Sequence, residues 1–281
     1  MMDLIEGLTQ VLKEAKVTGG DILYIPSDIT QLLRIAQKEH GVATEGKRNE
    51  FLNDLVDTFQ KAVGPEGTLL FPTFTWDFNH GLPFDIRSTP GKVGSLPNWI
   101  LKNRKDFIRT QHPMYSFMVW GKDAHLLAGM NNADCWGQYS PFGYMYRNDA
   151  KALFLNVSVQ RGFTFTHYVE ETLQVPYRYY KNFSGDYIDA WGNKSRRNYV
   201  MYVRDTRIIS SEYSPDSFYE ERGILKALGW EGMRLRLMGC RDAFDAIGDD
   251  FLNNGGRNMY HFDNYEIDWA AGHTHADEID N

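Results

Sequence analysis

The chain has few cysteines, no glycine-rich phosphate loop and no long apolar run. Its two cysteines, Cys135 and Cys240, lie far apart in the sequence and form neither a disulfide framework nor a CxxC metal motif. A buried, inert thiol is the commoner role for such residues, and a catalytic thiol is the alternative. Because the G-x-G-x-x-G and Walker-type motifs are both absent, any bound phosphate must be held by helix N-termini and scattered basic side chains.

Positive charge is also scarce. The formal net charge is −7 and the pI is about 5.6, so no electrostatic argument supports a nucleic-acid partner. The N-terminal stretch "MMDLIEGLTQVLKEAK" lacks the basic start and apolar centre of a signal peptide, and no apolar run is long enough to span a membrane. We therefore expect a cytoplasmic protein without a membrane partner.

Apolar runs alternate with amphipathic segments along the chain. The stretches "DILYIP", "GTLLFPTFTW", "MYSFMVWG", "KALFLNVSV", "NYVMYVR" and "MRLRLMG" are typical of strands. The stretches "KRNEFLNDLVDTFQKAVG", "SPDSFYEERGILKALG" and "CRDAFDAIGDDFLNNGG" are typical of helices. This alternation predicts a single α/β domain over residues 1–263, with a central, mostly parallel or mixed sheet and helices on both faces.

Two segments depart from this alternation. The stretch from Asp77 to Gly94 is rich in Gly, Pro and polar residues without a period, which predicts an irregular inserted lobe. Residues 264–281 are polar and acidic and predict a loose C-terminal tail. The tail contains "HTHAD", but two histidines in a loose segment lack a third ordered ligand, so we expect no metal.

The stretch "TFTHYVEETLQ" carries the clearest candidate chemistry. His167 lies one helical turn after Thr164, and Glu170 lies one turn further along the same face. A carboxylate at Glu170 can accept from one imidazole nitrogen and leave the other as a proton acceptor. The alternative is an ordinary helix start, in which Thr164 is the N-cap and the other two side chains are solvated. Spacing alone favours the ordinary helix start.

Further motifs favour the catalytic interpretation of this stretch over an ordinary helix start. Five motifs follow one another between about Asp21 and Arg178: "GTLLFPTFTW", "STPGKVGSL", "RTQHPMYS", "WGQYSP" and "TFTHYVEE". Their order and spacing resemble those of the aminoglycoside 3-N-acetyltransferase family, which is distinct from the GNAT superfamily. The resemblance implies transfer of an acyl group from acetyl-CoA or another acyl-CoA to an amine of an amino sugar. It also implies that His167 is the general base, Glu170 the carboxylate that supports it, and Thr164 the hydroxyl near the reacting carbonyl.

The resemblance further implies which residues contact the two substrates. Residues that match the family's coenzyme-binding loops and the H-P-x-x-S segment are assigned to the coenzyme: Ser27, Asp28, Ile29, Thr73, Thr75, Arg109, His112 and Ser116. Residues in or near the remaining motifs are assigned to the acceptor: Trp76, Asn98, Ser140, Tyr144 and Tyr168. Three of these residues have structural alternatives. His112 is then a turn residue that hydrogen-bonds the backbone, Ser140 is part of a plain turn, and Arg109 forms a surface ion pair.

Several positions differ from the family pattern. Asp28 stands where a small hydroxyl residue is common, Asn98 replaces a glutamate, and "RTQHP" replaces R-S-x-H-P. These differences leave open which amine and which acyl chain are used. The resemblance implies an aminoglycoside or a related amino sugar as the acceptor, and the alternative is a nucleotide-linked amino sugar of surface polysaccharide assembly. A non-catalytic protein that binds coenzyme or sugar is the third hypothesis. The sequence leaves a homodimer open.

Overall fold

The computed structural model describes residues 2–212 and 215–274. In chain order the strands are β1 (Ile22–Tyr24), β2 (Thr68–Pro72), β3 (Phe84–Asp85), β4 (Ile108–Arg109), β5 (Phe117–Gly121), β6 (Lys151–Leu155), β7 (Arg178–Ile188), β8 (Lys194–Arg204), β9 (Ser210–Glu212), β10 (Lys226–Trp230), β11 (Met233–Gly239) and β12 (Tyr260–Phe262). The helices are α1 (Met2–Glu14), α2 (Thr30–Glu39), α3 (Glu45–Val63), α4 (Ser95–Asn103), α5 (Ala124–Gly129), α6 (Pro141–Arg147), α7 (Val159–Gly162), α8 (Thr166–Leu173), α9 (Asp216–Glu220) and α10 (Cys240–Asn254).

A mixed sheet lies at the centre, in the order β10-β11-β6-β1-β2-β5-β4. β1 pairs in parallel with both β2 and β6, and the outer pairs are antiparallel. The prediction of an α/β domain with a mixed sheet is therefore confirmed. The carboxyl ends of β1, β2 and β6 meet at one edge, where open α/β sheets commonly bind ligands.

Helices cover both faces of this sheet and bury two apolar cores. One core contains the apolar stripe of α3, with Phe51, Leu55 and Phe59 fully buried against residues of α1, α2 and α4. The other core contains the inward faces of α6, α8 and α10, including Val169 and Phe251. Burial of each such side chain contributes roughly 1.5–3 kcal/mol relative to leaving it exposed. The two cores hold the β1, β2 and β6 ends in fixed positions.

A long hairpin projects from the domain after α8. β7 and β8 pair antiparallel along their whole length, from Arg178 opposite Arg204 to Ile188 opposite Lys194. β3, inside the lobe between Asp77 and Gly94, pairs with the far end of β7. Apart from β3 and a 3-10 turn at its start, the lobe is irregular, as the sequence predicts.

The helix predicted for "SPDSFYEERGILKALG" is wrong in its second half. Among the described residues of this stretch, only α9 is helical, and Lys226–Trp230 forms strand β10. Gly223 takes a left-handed φ of 70°, which ends the helical geometry. The following residues then pair with β11, so a long-range partner outweighs their local helical preference.

The segment after Asp263 contacts the domain as far as the structure describes it. The Tyr265 ring lies 6.2 Å from that of Tyr177, and the Thr274 N–H donates to the Pro176 carbonyl at 2.8 Å. The His273 Nδ1–H donates to the Arg178 carbonyl at 3.1 Å. The remainder of the predicted tail, 275–281, lies outside the described residues. No helix in the described parts of the chain is long and apolar enough to cross a membrane.

Candidate active site

Glu170 is the centre of a buried polar cluster at the start of α8. His167 lies in the first turn of this helix, and its Nδ1 is 2.6 Å from Oε2 of Glu170. Tyr177 donates its hydroxyl to Oε1 of Glu170 at 2.6 Å, and Nη2 of Arg178 lies 2.8 Å from Oε2. The Glu170 side chain has no exposed surface. Three donors therefore converge on one carboxylate that water does not reach.

These contacts fix the proton on the imidazole of His167. Burial alone would raise the pKa of Glu170, but the charge of Arg178 and the hydrogen bonds from His167 and Tyr177 outweigh burial and lower that pKa to about 2. An ionised carboxylate only accepts, so Nδ1 of His167 must carry the hydrogen in their bond. Nη2 of Arg178 also lies 3.1 Å from Nδ1 of His167. Because Nδ1 already carries a hydrogen, the Nη2–H of Arg178 donates to Oε2 of Glu170 instead.

The imidazole of His167 is held in its neutral form. Burial lowers its pKa below the ordinary histidine value, Arg178 lowers it further, and Glu170 opposes both. The ring contacts that of Trp136, with 4.8 Å between centroids, and 27% of the side chain is exposed. Nε2 is thus left as the proton-accepting nitrogen at neutral pH, on a ring that is neither sealed in the core nor free in solvent.

A cavity of about 820 Å³ opens at the carboxyl ends of β1, β2 and β6. Its wall includes Ser27 and Asp28 after β1, Phe74 after β2, and Thr164 before α8. The Ser27 hydroxyl is buried without a hydrogen-bond partner, so this wall has a polar atom available to a ligand. Its volume is in the range of small-molecule and cofactor sites, and its lining combines polar and apolar residues.

Two basic side chains line the same cavity. Arg161 lies in α7, and Lys92 lies at the end of the lobe, where it pairs with Asp77. Asp28, in the same wall, uses one carboxylate oxygen to accept from the Thr30 N–H at 2.9 Å at the start of α2. The cations are therefore placed where phosphates of a bound ligand can be neutralised.

Thr164 connects the cavity with the Glu170 cluster. It lines the cavity, and its carbonyl accepts from the His167 N–H at 3.0 Å. α8 begins only at Thr166, with Phe165 as its N-cap residue and no side-chain capping bond. The alternative of an ordinary helix start predicted Thr164 as the N-cap, which it is not. Thr164 lies in the turn before the helix that carries His167 and Glu170.

Several residues assigned to the coenzyme lie behind the cavity wall. Thr73 and Ser116 are buried and share a hydrogen bond of 3.0 Å between their hydroxyls. The hydroxyl of buried Thr75 accepts from the Asp77 N–H at 3.5 Å, and Ile29 is buried in the α1–α4 core. His112 is buried, accepts from the Tyr115 N–H at 3.2 Å, and has its pKa lowered by burial to about 3. Of the eight assigned residues, the structure brings Ser27 and Asp28 to the cavity.

Arg109 joins the lobe to the sheet. Its guanidinium donates to the carbonyls of Thr89 at 2.6 Å and Thr73 at 3.3 Å, and to the Ser116 hydroxyl at 3.0 Å. It also lies 4.7 Å from the ring centre of Phe84 in the lobe. Burial lowers the pKa of Arg109 to about 10, so the side chain stays charged at neutral pH. All of these contacts are within the protein, and none faces the cavity.

We expect Arg109→Met to destabilise the lobe rather than abolish catalysis. The substitution leaves buried carbonyls without donors, at a cost of about 1–3 kcal/mol each when no water replaces the guanidinium. Because Arg109 joins the lobe to the sheet, the melting temperature of the variant should fall, which thermal unfolding measures. Arg87→Met, at an exposed arginine of the same lobe, is the control. An unchanged melting temperature for Arg109→Met would contradict this account.

The residues assigned to the acceptor are mostly engaged in local structure. Asn98 accepts from the Gly91 N–H at 2.7 Å and donates to the Gly91 carbonyl, which braces the end of the lobe. Ser140 caps α6, Tyr144 donates to Asp123, and Tyr168 packs among aromatic rings. Trp76 is partly exposed and donates to the Tyr115 hydroxyl at 3.1 Å. None of these five lies in the wall of the 820 Å³ cavity.

The structure adds residues that sequence reasoning missed. Tyr177 and Arg178 follow α8 directly and complete the Glu170 cluster, while Trp136 contacts His167 and Lys92 and Arg161 line the cavity. The sequence signal for the first two was the "VPYR" stretch at the end of the motif match. Within 2–212 and 215–274, no group of three or more His, Cys, Asp or Glu residues could hold a metal ion.

The fold and the site together define a class of protein. A mixed α/β sheet carries a cavity of about 820 Å³ at its strand ends. Thr164, in the wall of this cavity, lies three residues before a neutral imidazole whose other nitrogen is held by an ionised carboxylate. This arrangement is typical of enzymes that transfer a group with the help of a general base.

Residues 39–253, more than half of the chain, match the aminoglycoside 3-N-acetyltransferase family. The chain belongs to this family and is a transferase. The resemblance predicted from the five motifs is confirmed.

Solved structures of low sequence identity share the fold. Aminoglycoside acetyltransferase AAC(3)-IVa, an apoenzyme, is 20% identical with a TM-score of 0.64, over 90% of this chain and 88% of that one. AAC-IIIb in a binary complex with CoASH is 17% identical with a TM-score of 0.70, over 89% of this chain and 96% of that one. AAC-VIa bound to sisomicin is 18% identical with a TM-score of 0.67, over 89% of this chain and 97% of that one.

Proposed function

We propose that this protein is an N-acyltransferase that moves an acetyl or other short acyl group from coenzyme A to an amino group of an aminoglycoside or related amino sugar. The observation that carries the proposal is the neutral His167, bonded to buried Glu170 and three residues after Thr164, which lines the cavity of about 820 Å³. The family membership supports acyl transfer. The similar folds that hold CoASH and sisomicin support the two kinds of substrate.

His167 acts as the general base in this proposal. A sugar amine is mostly protonated at neutral pH, and it is a nucleophile only after the ammonium has lost a proton. As the nitrogen then bonds to the thioester carbonyl carbon it gives up a second proton, and the C–S bond breaks to release coenzyme A as the thiol. Nε2 accepts that proton, and the imidazolium that forms is stabilised by the ionised Glu170, 2.6 Å from Nδ1. Tyr177 and Arg178 hold the carboxylate of Glu170 in place. The attack is direct, and neither buried cysteine takes part.

Thr164 and the cavity residues act on the coenzyme side. Bound acyl-CoA supplies an activated acyl group as a thioester. The Thr164 hydroxyl is the candidate donor to the carbonyl oxygen, where negative charge develops during the attack. Ser27 offers its unpartnered hydroxyl to a polar group of the coenzyme, and Lys92 and Arg161 offer positive charge to its phosphates.

The direct test is the release of free thiol from acetyl-CoA by the purified protein. Sisomicin and apramycin serve as amine acceptors, and a nucleotide-linked amino sugar is included for comparison. We expect thiol release that depends on acceptor, and a product whose mass has increased by one acetyl group. Saturable binding of acetyl-CoA without thiol release, for every amine tried, would contradict the proposal and favour a non-catalytic binding protein.

The protonation state of His167 can be tested separately. Because burial and Arg178 both lower its pKa, NMR titration of the ring C–H signals should give a value below the ordinary 6.5. Arg178→Met removes one of these causes, and the pKa of His167 should then rise. Arg178→Lys keeps the positive charge and is the matched control. A His167 pKa at or above 6.5 in the unmodified protein would contradict the assignment of a neutral base.

A further inference from the structure

Trp136 packs against the imidazole of His167. The centroids of the two rings are 4.8 Å apart, and their planes are inclined by 54°. A positive charge within about 6 Å of the centroid of an indole is attracted to the face of the ring. The imidazole of His167 therefore lies within the range of this attraction whenever both of its nitrogens carry a proton.

The fold holds the indole of Trp136 in one position. The ring of Tyr115 packs against it with 4.9 Å between centroids, and only 2% of Trp136 is exposed. The backbone N–H of Trp136 donates to the carboxylate of Glu171 in α8. The preceding Cys135 N–H donates to the Val200 carbonyl in β8 at 3.1 Å. Trp136 is thus fixed both to the helix that carries His167 and to the hairpin.

The indole lowers stability at this position in a way that an apolar ring would not. Nε1 of Trp136 is buried and has no hydrogen-bond partner in the described parts of the chain. A buried N–H without a partner is destabilising, and an apolar side chain in the same place would avoid that loss. Among the natural aromatic side chains, however, the indole attracts a cation most strongly. The unsatisfied N–H therefore points to a role of this ring beyond filling space.

The contact acts unequally on the two forms of His167. The resting ring is neutral, because burial and then Arg178 lower its pKa. When Nε2 takes a proton, the ring becomes an imidazolium, and an indole face attracts this form much more strongly than the neutral one. An interaction that is stronger in the transition state than in the ground state raises kcat and leaves substrate binding unchanged.

We propose that Trp136 is a positioning residue that acts through His167, because its ring face stabilises the imidazolium that forms when the acceptor amine gives up its proton. This inference rests on the proposed function of His167. It gives the imidazolium a second source of stabilisation besides Glu170, which lies 2.6 Å from Nδ1.

The other groups around the two rings come from four elements. The charges that act on His167 are those of Glu170 in α8, Arg178 in β7 and Arg204 in β8. Glu171 lies one helical turn beyond His167 in α8. Tyr115 and Cys135, which adjoin Trp136, stay neutral at neutral pH because burial raises the pKa of each. The same charges are present whichever ring stands at position 136, so replacing that ring isolates its own effect.

The first test weakens the ring face without changing its shape. Tryptophan analogues with one, two and three fluorine atoms replace Trp136 by site-specific incorporation. Each fluorine withdraws electron density from the ring face and makes Nε1–H a better donor. The kcat for thiol release from acetyl-CoA with sisomicin should fall stepwise, by about tenfold in total, while the KM for sisomicin stays the same.

The same fluorinated series at Trp191, which is 85% exposed, is the control and should leave kcat unchanged. A kcat that stays constant or rises as fluorine is added at position 136 would overturn the proposal. The indole would then act through its shape or through its N–H.

The second test measures the pKa of His167 by NMR and needs no turnover. In Trp136→Leu, an apolar side chain takes the place of the ring, and the pKa of His167 should fall further, by about 0.5–1. A role in packing alone predicts the opposite sign, because water that enters beside the smaller side chain favours the charged imidazole and raises its pKa. If Trp136→Leu does not fold, the fluorinated series gives the same measurement.

Together the two tests separate this inference from the proposed function. A His167 pKa that falls as fluorine is added, in a protein that releases no thiol with any amine, would overturn only the transfer reaction. Thiol release that needs His167 but does not respond to fluorine at position 136 would overturn only the role of Trp136.

Discussion

Replacing His167 with alanine should lower the rate of acceptor-dependent thiol release by about 10²–10⁴-fold, the usual contribution of a positioned general base. The reason is that, in the proposed reaction, Nε2 of His167 takes the proton of the amine, while Nδ1 is bonded to Glu170. Acetyl-CoA binding should persist, because the coenzyme cavity is lined by other residues. Steady-state kinetics and direct coenzyme binding measure the two effects.

A matched control distinguishes loss of a base from loss of structure. The side chain of His261, in β12, is 74% exposed, and His261→Ala should keep the full rate. Added imidazole should restore part of the activity of His167→Ala, since the vacated volume beside Trp136 can admit a small base. If His167→Ala retained more than a tenth of the rate, Nε2 would not be the proton acceptor.

Glu170→Gln should reduce both catalysis and stability. A glutamine amide can donate to Nδ1 of His167, which moves the ring hydrogen to Nε2 and removes the proton acceptor, so a rate loss of about 10⁴-fold is expected. The same change leaves the buried guanidinium of Arg178 without its counter-charge, which costs about 3–5 kcal/mol of unfolding free energy. Urea unfolding and thiol release measure the two losses.

The stability effect has a defined pH dependence. The folded pKa of Glu170 is lowered to about 2 from an ordinary value of 4.5, so the ionised group contributes its full stabilisation above pH 4.5. This contribution is lost as the pH falls from 4.5 towards 2, and the Glu170→Gln variant should lack that part of the acid transition. Combining Glu170→Gln with Arg178→Met should recover stability without activity. Recovery of activity in the double variant would show that the carboxylate does not position His167.

The sequence predicted the central sheet because its buried strands are continuous apolar runs. β2 and β6 read directly as such, and the clearest predicted helix corresponds to α3. β10 could not be predicted in this way. Its residues "KALGW" are as compatible with a helix as with a strand, and only the antiparallel partner β11 decides between them.

The site was predictable where its residues lie within one helical turn of each other. His167 and Glu170 are three residues apart, so a local pattern specifies their contact. Arg178 reaches the same carboxylate from the start of β7, and its direction depends on the pairing of the hairpin, which no local pattern encodes. Spacing also does not distinguish residues that face a ligand from those that brace a loop, as Asn98 and Arg109 do.

The contacts of residues 264–274 have a consequence for work on this protein. Tyr265 covers one side of Tyr177, and His273 bonds the backbone of Arg178, so this segment supports the two residues that hold the Glu170 carboxylate. Composition alone would place the end of the domain at Asp263. A truncation there would remove the contacts of Tyr265 with Tyr177 and of His273 with Arg178. Shortened versions intended for crystallisation or tagging should therefore keep Thr274, since without this segment Tyr177 and Arg178 lose contacts that support their position around Glu170.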